Sequence, residues 1–254
     1  MSLEPGLRYL ILSDIHSNLE ALQKCLELAK GKFDKAVCLG DLVGYGPDPK
    51  AVIDRVREVT NVIVRGNHDK ACCGITNAED FNIWARLATQ WTRKELAPEH
   101  LAFLRGLPQG PVTLEGLVLV HGSAADEDDY ILGVADALPS LKTQTSLTVY
   151  FGHTHLQGGF MVNPEGRFQS IECKSDGDGL VKTLALEEKG RYLINPGSVG
   201  QPRDRNWRAA FAVLDADRRQ VEYYRTAYDL PKTQEKMRKA DLPDPLVRRL
   251  EVGR

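Results

Sequence analysis

The sequence predicts an α/β (α+β) domain in which two β-sheets are packed together and flanked by helices. Three observations carry that prediction. The first 66 residues alternate short apolar strands with amphipathic helices, an order that needs crossover connections and so gives parallel strands. Strand-like segments dominate after residue 110, which calls for a second sheet on the first. Five of the 6 histidines fall in short motifs rich in Gly, Asp or Asn, each directly after an apolar strand.

The elements follow in order. "LRYLILS" (7–13) is too short and too apolar for a surface helix and reads as a strand. In "NLEALQKCLELAKG" (18–31), Leu19, Leu22, Leu26 and Ala29 recur at helical spacing and Gly31 is a stop. "KAVCLG" (35–40) is a buried strand, "DPKAVIDRVREV" (48–59) a helix with Pro49 in its first turn, and "NVIVRG" (61–66) a third strand. Two helical stretches cover 78–96 and 98–107. "GPVTL", "GLVLVHG", "LTVYFG", "GGFMVN", "RFQSI", "TLALEE", "RYLINPG", "AAFAVLDAD" and "QVEYYRTAY" then read as strands, with "NPEG" (163–166) as a hairpin turn. Residues 1–230 are expected to form one domain, and 231–254 a tail of short helices with an exposed basic face.

Bulk properties exclude several classes. The 254 residues are 42% hydrophobic and 27% charged with a net charge of -2, ordinary for a globular protein able to bury a large core. This balance favours neither nucleic acid nor a membrane surface as partner. No apolar run approaches the ~18 residues of a membrane span. The opening "MSLEPGLRY" lacks the basic and apolar regions of a signal peptide. Five cysteines, an odd number without a C-x-x-C pair, read as reduced thiols in a cytoplasmic protein. Cys38 is expected in the core, and Cys72 and Cys73 are expected to be structural.

The motifs carry the chemistry. They are Asp14-x-His16, Asp41 in "GDLVGYG" (40–46), "GNHD" (66–69), "HG" at His121, and "GHTH" (152–155) with His153 and His155. Ligands collect beyond the carboxyl ends of strands in open α/β sheets, so these strand ends are expected to converge. Carboxylates and imidazoles gathered without basic partners form a metal site. The donors are hard or borderline and include no thiolate, which suits Mn, Fe, Co, Ni or Zn. They are too many for one tetrahedral ion, and about right for two ions roughly 3.5–4 Å apart that share a carboxylate. Alone, "GNHD" is more often a turn and "GHTH" could be a capped loop; the set in order is far more specific. His100, in a plain helical context, is expected to be a solvated helix residue.

The order D-x-H, G-D, G-N-H-D, H-G, G-H-x-H resembles that of the calcineurin-like metallophosphoesterase superfamily. The flanks "SDIHSNLEAL", "GDLVGYGPDP", "RGNHD", "HGS", "GHTH" and "NPGSVGQPRD" (195–204) are similar to its bacterial and archaeal phosphodiesterase branch, of the diadenosine tetraphosphatase-like kind. The resemblance covers almost the whole chain. It implies a four-layer sandwich of two mixed sheets flanked by helices, with a dinuclear metal site at the C-terminal edge of the strands. It implies Asp14, His16 and His155 on one metal, Asn67, His121 and His153 on the other, and Asp41 bridging them. It gives His68 the role of protonating the leaving group or stabilising a phosphoryl oxygen. Asp69 would orient His68 by accepting from its other ring nitrogen.

The activity implied is hydrolysis of phosphoester bonds by a metal-bridging hydroxide. A phosphodiesterase or a nucleotide pyrophosphohydrolase leads, with a phosphomonoesterase, phosphoprotein phosphatase or non-catalytic scaffold as alternatives. The cofactors expected are two divalent ions, manganese foremost and Fe, Zn, Ni or Co as alternatives. The substrate expected is a small phosphoester or nucleotide rather than nucleic acid, and a homo-oligomer is left open. "NPGSVGQPRD" is the candidate substrate loop, with glycine N–H groups and the Arg203 guanidinium facing phosphate; the bland reading is a turn with Arg203 in a surface ion pair. Asn18 and Tyr45 are candidates for substrate contact, and Asn18 could instead cap the helix that starts there. The acidic run Asp126, Glu127, Asp128 and Asp129 is expected to be a solvated loop. Bordering the cleft, it would repel polyanions.

Overall fold

The computed structural model describes residues 6–143 and 148–254. The opening "MSLEP" and residues 144–147, including the first residue of "LTVYFG", lie outside them.

The first unit is β1 (Arg8–Leu12), α1 (Leu19–Ala29), β2 (Lys35–Cys38) and α2 (Pro49–Val59). β2 pairs parallel to β1, as the crossover order requires. The expected third strand at 61–66 does not form a ladder. It reaches β2 through a single parallel bridge between Cys38 and Ile63, and Arg65 N–H then turns away to donate to the Pro108 carbonyl.

Three helices follow: α3 (Asn67–Cys73), α4 (Ile83–Glu95) and α5 (Pro98–Gly106). α3 begins inside the "GNHD" motif and was not legible as a helix, because it is only 7 residues long. Next come β3 (Val112–Leu114), β4 (Leu117–Leu119), α6 (Val134–Thr143), β5 (Thr148–Tyr150), β6 (Gly158–Val162), β7 (Phe168–Glu172), β8 (Gly179–Ala185), β9 (Arg191–Asn195), β10 (Ala209–Asp215) and β11 (Gln220–Thr226). The chain closes with α7 (Leu230–Lys239) and α8 (Asp244–Val252). α6 also escaped the sequence reading, since Pro139 interrupts its helical signal.

The strands form two mixed sheets, ordered β2-β1-β10-β11-β8 and β3-β4-β5-β9-β6-β7. Strand alternation builds the layers. Tyr9 and Ile11 of β1 pack between the sheets with Leu119, Tyr150 and Ile194. Leu10 and Leu12 face the opposite way, onto Leu22 and Leu26 of α1 and Val52 and Ile53 of α2. On the far side of the second sheet, Val149 and Leu193 pack on Ala137 and Leu141 of α6. The result is the four-layer α/β sandwich. β1 and β2 in one sheet and β4 and β5 in the other end at the same edge, so the motifs meet from both sheets.

Two expectations about side chains are corrected here. His100 is buried rather than solvated, and its Nε2 lies 3.2 Å from Asp54 Oδ1, tying α5 to α2. The acidic run is a solvated loop only in part, with Asp126, Asp128 and Asp129 exposed and Glu127 not. Glu127 is buried between Arg65 and Lys70, Asp128 also takes Lys70, and Asp129 accepts from the Ser123 hydroxyl. Opposite charges on the neighbouring strand end and on α3 explain the difference. The five cysteines are free, and Cys38, Cys72 and Cys73 are buried as expected. No helix among the described residues is long and apolar enough to cross a membrane.

Candidate metal centre

Three of the five motifs leave their strands through an abrupt backbone turn. Asp14, His16, Asp41, His153 and His155 all adopt positive φ, between 49° and 66°. Left-handed backbone costs a non-glycine residue about 1–3 kcal/mol, so the surrounding contacts must hold it there. Such turns place Asp14 and His16 on one side without an extended segment between them. Asp14 N–H donates to the Gly40 carbonyl and His16 N–H to the Asp41 carbonyl, so the two strand ends brace each other.

The side chains converge in two groups. Ligand atoms of Asp14, His16, Asp41 and His155 all lie within 4.8 Å of one another, and so do those of Asp41, His121 and His153. All six side chains are buried. Asn67 joins the second group, its Oδ1 3.3 Å from His121 Nε2. Asp41 belongs to both: its Oδ2 is 3.5 Å from His16 Nε2 and 3.4 Å from His121 Nε2.

Hydrogen bonds fix which ring atoms face inward. His16 Nδ1 meets the Val43 carbonyl at 3.0 Å, His121 Nδ1 the Leu39 carbonyl at 2.7 Å, and His155 Nδ1 the Gln201 carbonyl at 2.5 Å. A carbonyl can only accept, so each Nδ1 carries a proton, and the neutral rings of His16 and His155 present the Nε2 lone pair. His16 Nε2 and His155 Nε2 then face each other at 3.1 Å, lone pair to lone pair. That arrangement repels unless a cation lies between the donors. Bonds of about 2.0–2.1 Å place adjacent ligand atoms roughly 3 Å apart, which matches. Asp14 Oδ2 and Asp41 Oδ2 are buried without hydrogen-bond partners, the state of a carboxylate waiting for a cation. The residues present therefore fit divalent ions.

The protonation balance agrees. Burial pushes Asp14 up to about 6. Burial lowers His68 to about 4 and His153 to about 3, and holds His16 and His155 well below the usual range. His121 is the exception. Burial opposes its charge, but the Asp41 carboxylate outweighs this and raises it to about 10. Without a cation, Asp41 draws its compensating charge from a proton on His121.

The remaining candidates divide. His68 sits at the site, its ring centroid 4.9 Å from that of His16 and 4.4 Å from that of Tyr45, and its N–H donates to Asp41 Oδ1. Asp69 does not orient the His68 ring as expected. Its carboxylate accepts from the backbone N–H groups of Asp41, Leu42, Val43 and Gly66 at 2.9–3.3 Å, capping α3 and holding the Asp41 turn. His68 Nδ1 is buried with no partner. Asn18 caps α1: its Oδ1 accepts from Ala21 N–H and the Thr233 hydroxyl, and its Nδ2 donates to the Gly200 carbonyl. Its substrate role is set aside.

The glycines of "NPGSVGQPRD" do not face a ligand either. Gly197 N–H donates to Asn195 Oδ1, and Gly200 N–H to the Asp14 carbonyl. The loop braces the Asp14 turn, with the Ser198 hydroxyl also donating to the Asp14 carbonyl. Arg203 makes no ion pair among the described residues; Nη2 reaches the Tyr45 hydroxyl and Gln201 Oε1, both at 3.3 Å.

Three residues were missed. Tyr130 stacks on His153 at 3.8 Å, Phe81 lies 4.6 Å from the His68 ring, and Arg249 of α8 lies over Tyr45. No local motif marks any of them.

Asp69→Asn should lower the unfolding free energy of metal-free protein by about 3 kcal/mol or more, because an NH2 then faces buried N–H groups. Denaturant unfolding checks this, and an unchanged midpoint would show that the turn holds without the carboxylate.

The model of the calcineurin-like phosphoesterase superfamily domain matches residues 7–219. The chain belongs to the calcineurin-like phosphoesterase superfamily. It is 36% identical to a metallophosphoesterase from Sphaerobacter thermophilus whose crystal structure superposes with a TM-score of 0.84, covering 98% of this chain and 100% of that one. An uncharacterized protein of Methanocaldococcus jannaschii is 34% identical over 96% of this chain and 97% of its own length. Phosphodiesterase YfcE of Escherichia coli is 25% identical over 83% of this chain and 89% of its own. Membership in this phosphoesterase superfamily implies divalent metals, and the buried Asp and His groups are where they would bind.

Proposed function

We propose that the chain is a two-metal hydrolase of phosphodiester or nucleotide pyrophosphate bonds. The observation that carries this is the sharing of Asp41 between two buried donor groups. Asp14, His16, Asp41 and His155 would hold one ion, and Asp41, Asn67, His121 and His153 the other. Manganese is the foremost candidate, given oxygen and imidazole donors without thiolate. Divalent ions there supply an acidified water and neutralise charge on the phosphoryl oxygens.

The protein's own groups do the rest. The Nδ1–H bonds to Val43, Leu39 and Gln201 keep the imidazoles aimed. His68, beside the centre and neutral by burial, is placed to hold a proton for the leaving oxygen; a bound phosphate anion would raise its affinity for that proton. Arg203 is placed to bind a non-bridging phosphate oxygen as the ester enters. The likeness to a phosphodiesterase supports diesters over monoesters.

Metal-loaded protein assayed on bis-p-nitrophenyl phosphate, p-nitrophenyl phosphate and diadenosine tetraphosphate tests the reading. Turnover of a diester or of the tetraphosphate supports it; exclusive turnover of the monoester would replace it with a phosphomonoesterase. Arg203→Ala should raise KM for the preferred substrate about tenfold with metal content unchanged. Unaltered kinetics would take Arg203 out of the site.

A further inference from the structure

Two guanidinium groups lie over one aromatic ring at the edge of the metal centre. Arg203 Cζ is 5.8 Å and Arg249 Cζ 5.7 Å from the Tyr45 ring centroid. That ring is buried and stands 4.7 Å from His16 and 4.4 Å from His68. The charge of Arg203 also acts on the Tyr130 phenol, whose ring centroid is 3.8 Å from that of His153. Arg203 thus lies close to the aromatic rings that flank the donor groups, and Arg249 shares the Tyr45 ring with it.

Neither arginine is neutralised by an Asp or Glu side chain among the described residues. Asp204, next to Arg203 in sequence, is turned away into an ion pair with Arg225. The bonds from Arg203 Nη2 are long, and Arg203 Nε is buried with no partner. Arg249 Nε donates to a main-chain oxygen of Arg254, the last residue of the chain, where the exposed α-carboxylate carries the acceptor charge. Burial, and then the charge of Arg203, make the charged form of Arg249 less favourable. Two cations held on one ring without an Asp or Glu side chain between them are stabilised by an anion that bridges them. Within the acidic run, Glu127 and Asp128 are paired with Arg65 and Lys70 instead.

We propose that Arg203 and Arg249 form a second anion subsite beside the metal centre, binding a phosphate adjacent to the one hydrolysed. The site then selects substrates with at least two linked phosphates over simple diesters. This rests on the proposed hydrolase reading and narrows its substrate class. It also gives the C-terminal helices a function, since α8 delivers one of the two cations.

Calorimetric titration of manganese-loaded, full-length protein with methylenebisphosphonate and with orthophosphate tests the subsite apart from turnover. Arg249→Gln should weaken bisphosphonate binding about tenfold and orthophosphate binding less than about twofold, and Arg203→Gln should weaken bisphosphonate binding more than orthophosphate binding. Arg249→Lys should recover part of the loss. Equal losses for both ligands, or no loss in either variant, would overturn the subsite. Should Arg249→Gln disturb α8, Arg203→Gln carries the test alone. A protein that hydrolyses bis-p-nitrophenyl phosphate but gives this negative titration loses only the subsite; one that hydrolyses no ester loses the hydrolase reading, while the titration still reads the arginine pair.

Discussion

Asp41→Asn is expected to remove bound metal and to lower turnover by about 10³-fold or more. The size of the effect follows from the two different tasks of its oxygens. Oδ1 accepts the His68 N–H at 2.9 Å, which fixes the carboxylate. Oδ2 is left buried and unpartnered between His16 Nε2 and His121 Nε2. In the asparagine variant the amide oxygen keeps the His68 bond, and the NH2 group faces the two imidazole lone pairs. It can donate to both. The substitution therefore satisfies the cluster in the one way that excludes cations. The fold should survive, so elemental analysis and turnover can be read on intact protein. Full metal content with full activity in Asp41→Asn would show that Asp41 bridges nothing.

Gly66→Ala should also disable the centre, although residue 66 offers no ligand. Gly66 has φ -103°, which alanine adopts freely, so backbone strain is not the issue. A Cβ there would lie 2.0 Å from Asp41 Oδ1 and 2.4 Å from Asp41 N. Both are far inside contact distance, and neither neighbour is the free end of a flexible chain. Either Asp41 or the start of α3 must shift by about 1 Å. A displacement of that size costs about 10²-fold in rate when it moves a reacting geometry. Turnover should fall about 10²-fold, with a lower melting temperature and weakened metal binding. Wild-type turnover in Gly66→Ala would mean that Asp41 has slack that the packing does not show.

The candidate metal ligands were legible because each is a short motif in sequence and each sits at the end of an apolar strand. Asp14 and His16, or His153 and His155, announce themselves two residues apart. The elements at 18–31 and 48–59 were legible for the same local reason, since α1 and α2 carry regular apolar faces. What escaped depends on contacts distant in sequence. Asp69 looks like the partner of the adjacent His68, yet its four donors include the backbone of residues 41–43. Glu127 looks solvated until Arg65 and Lys70 are placed beside it. Arg249 is one basic residue among several in a tail, and only the packing of α8 on Tyr45, in a cluster shared with α4 and α7, gives it a place at the site.

The central claim is that two ions share Asp41, and electron paramagnetic resonance of chelator-stripped protein titrated with manganese tests it most directly. Two ions per chain that share a carboxylate lie close enough to couple, so the account predicts saturation at two equivalents with an exchange-coupled signal. Asp41→Asn should lose that signal. Saturation at one equivalent, or two equivalents with only isolated-ion spectra, would contradict it.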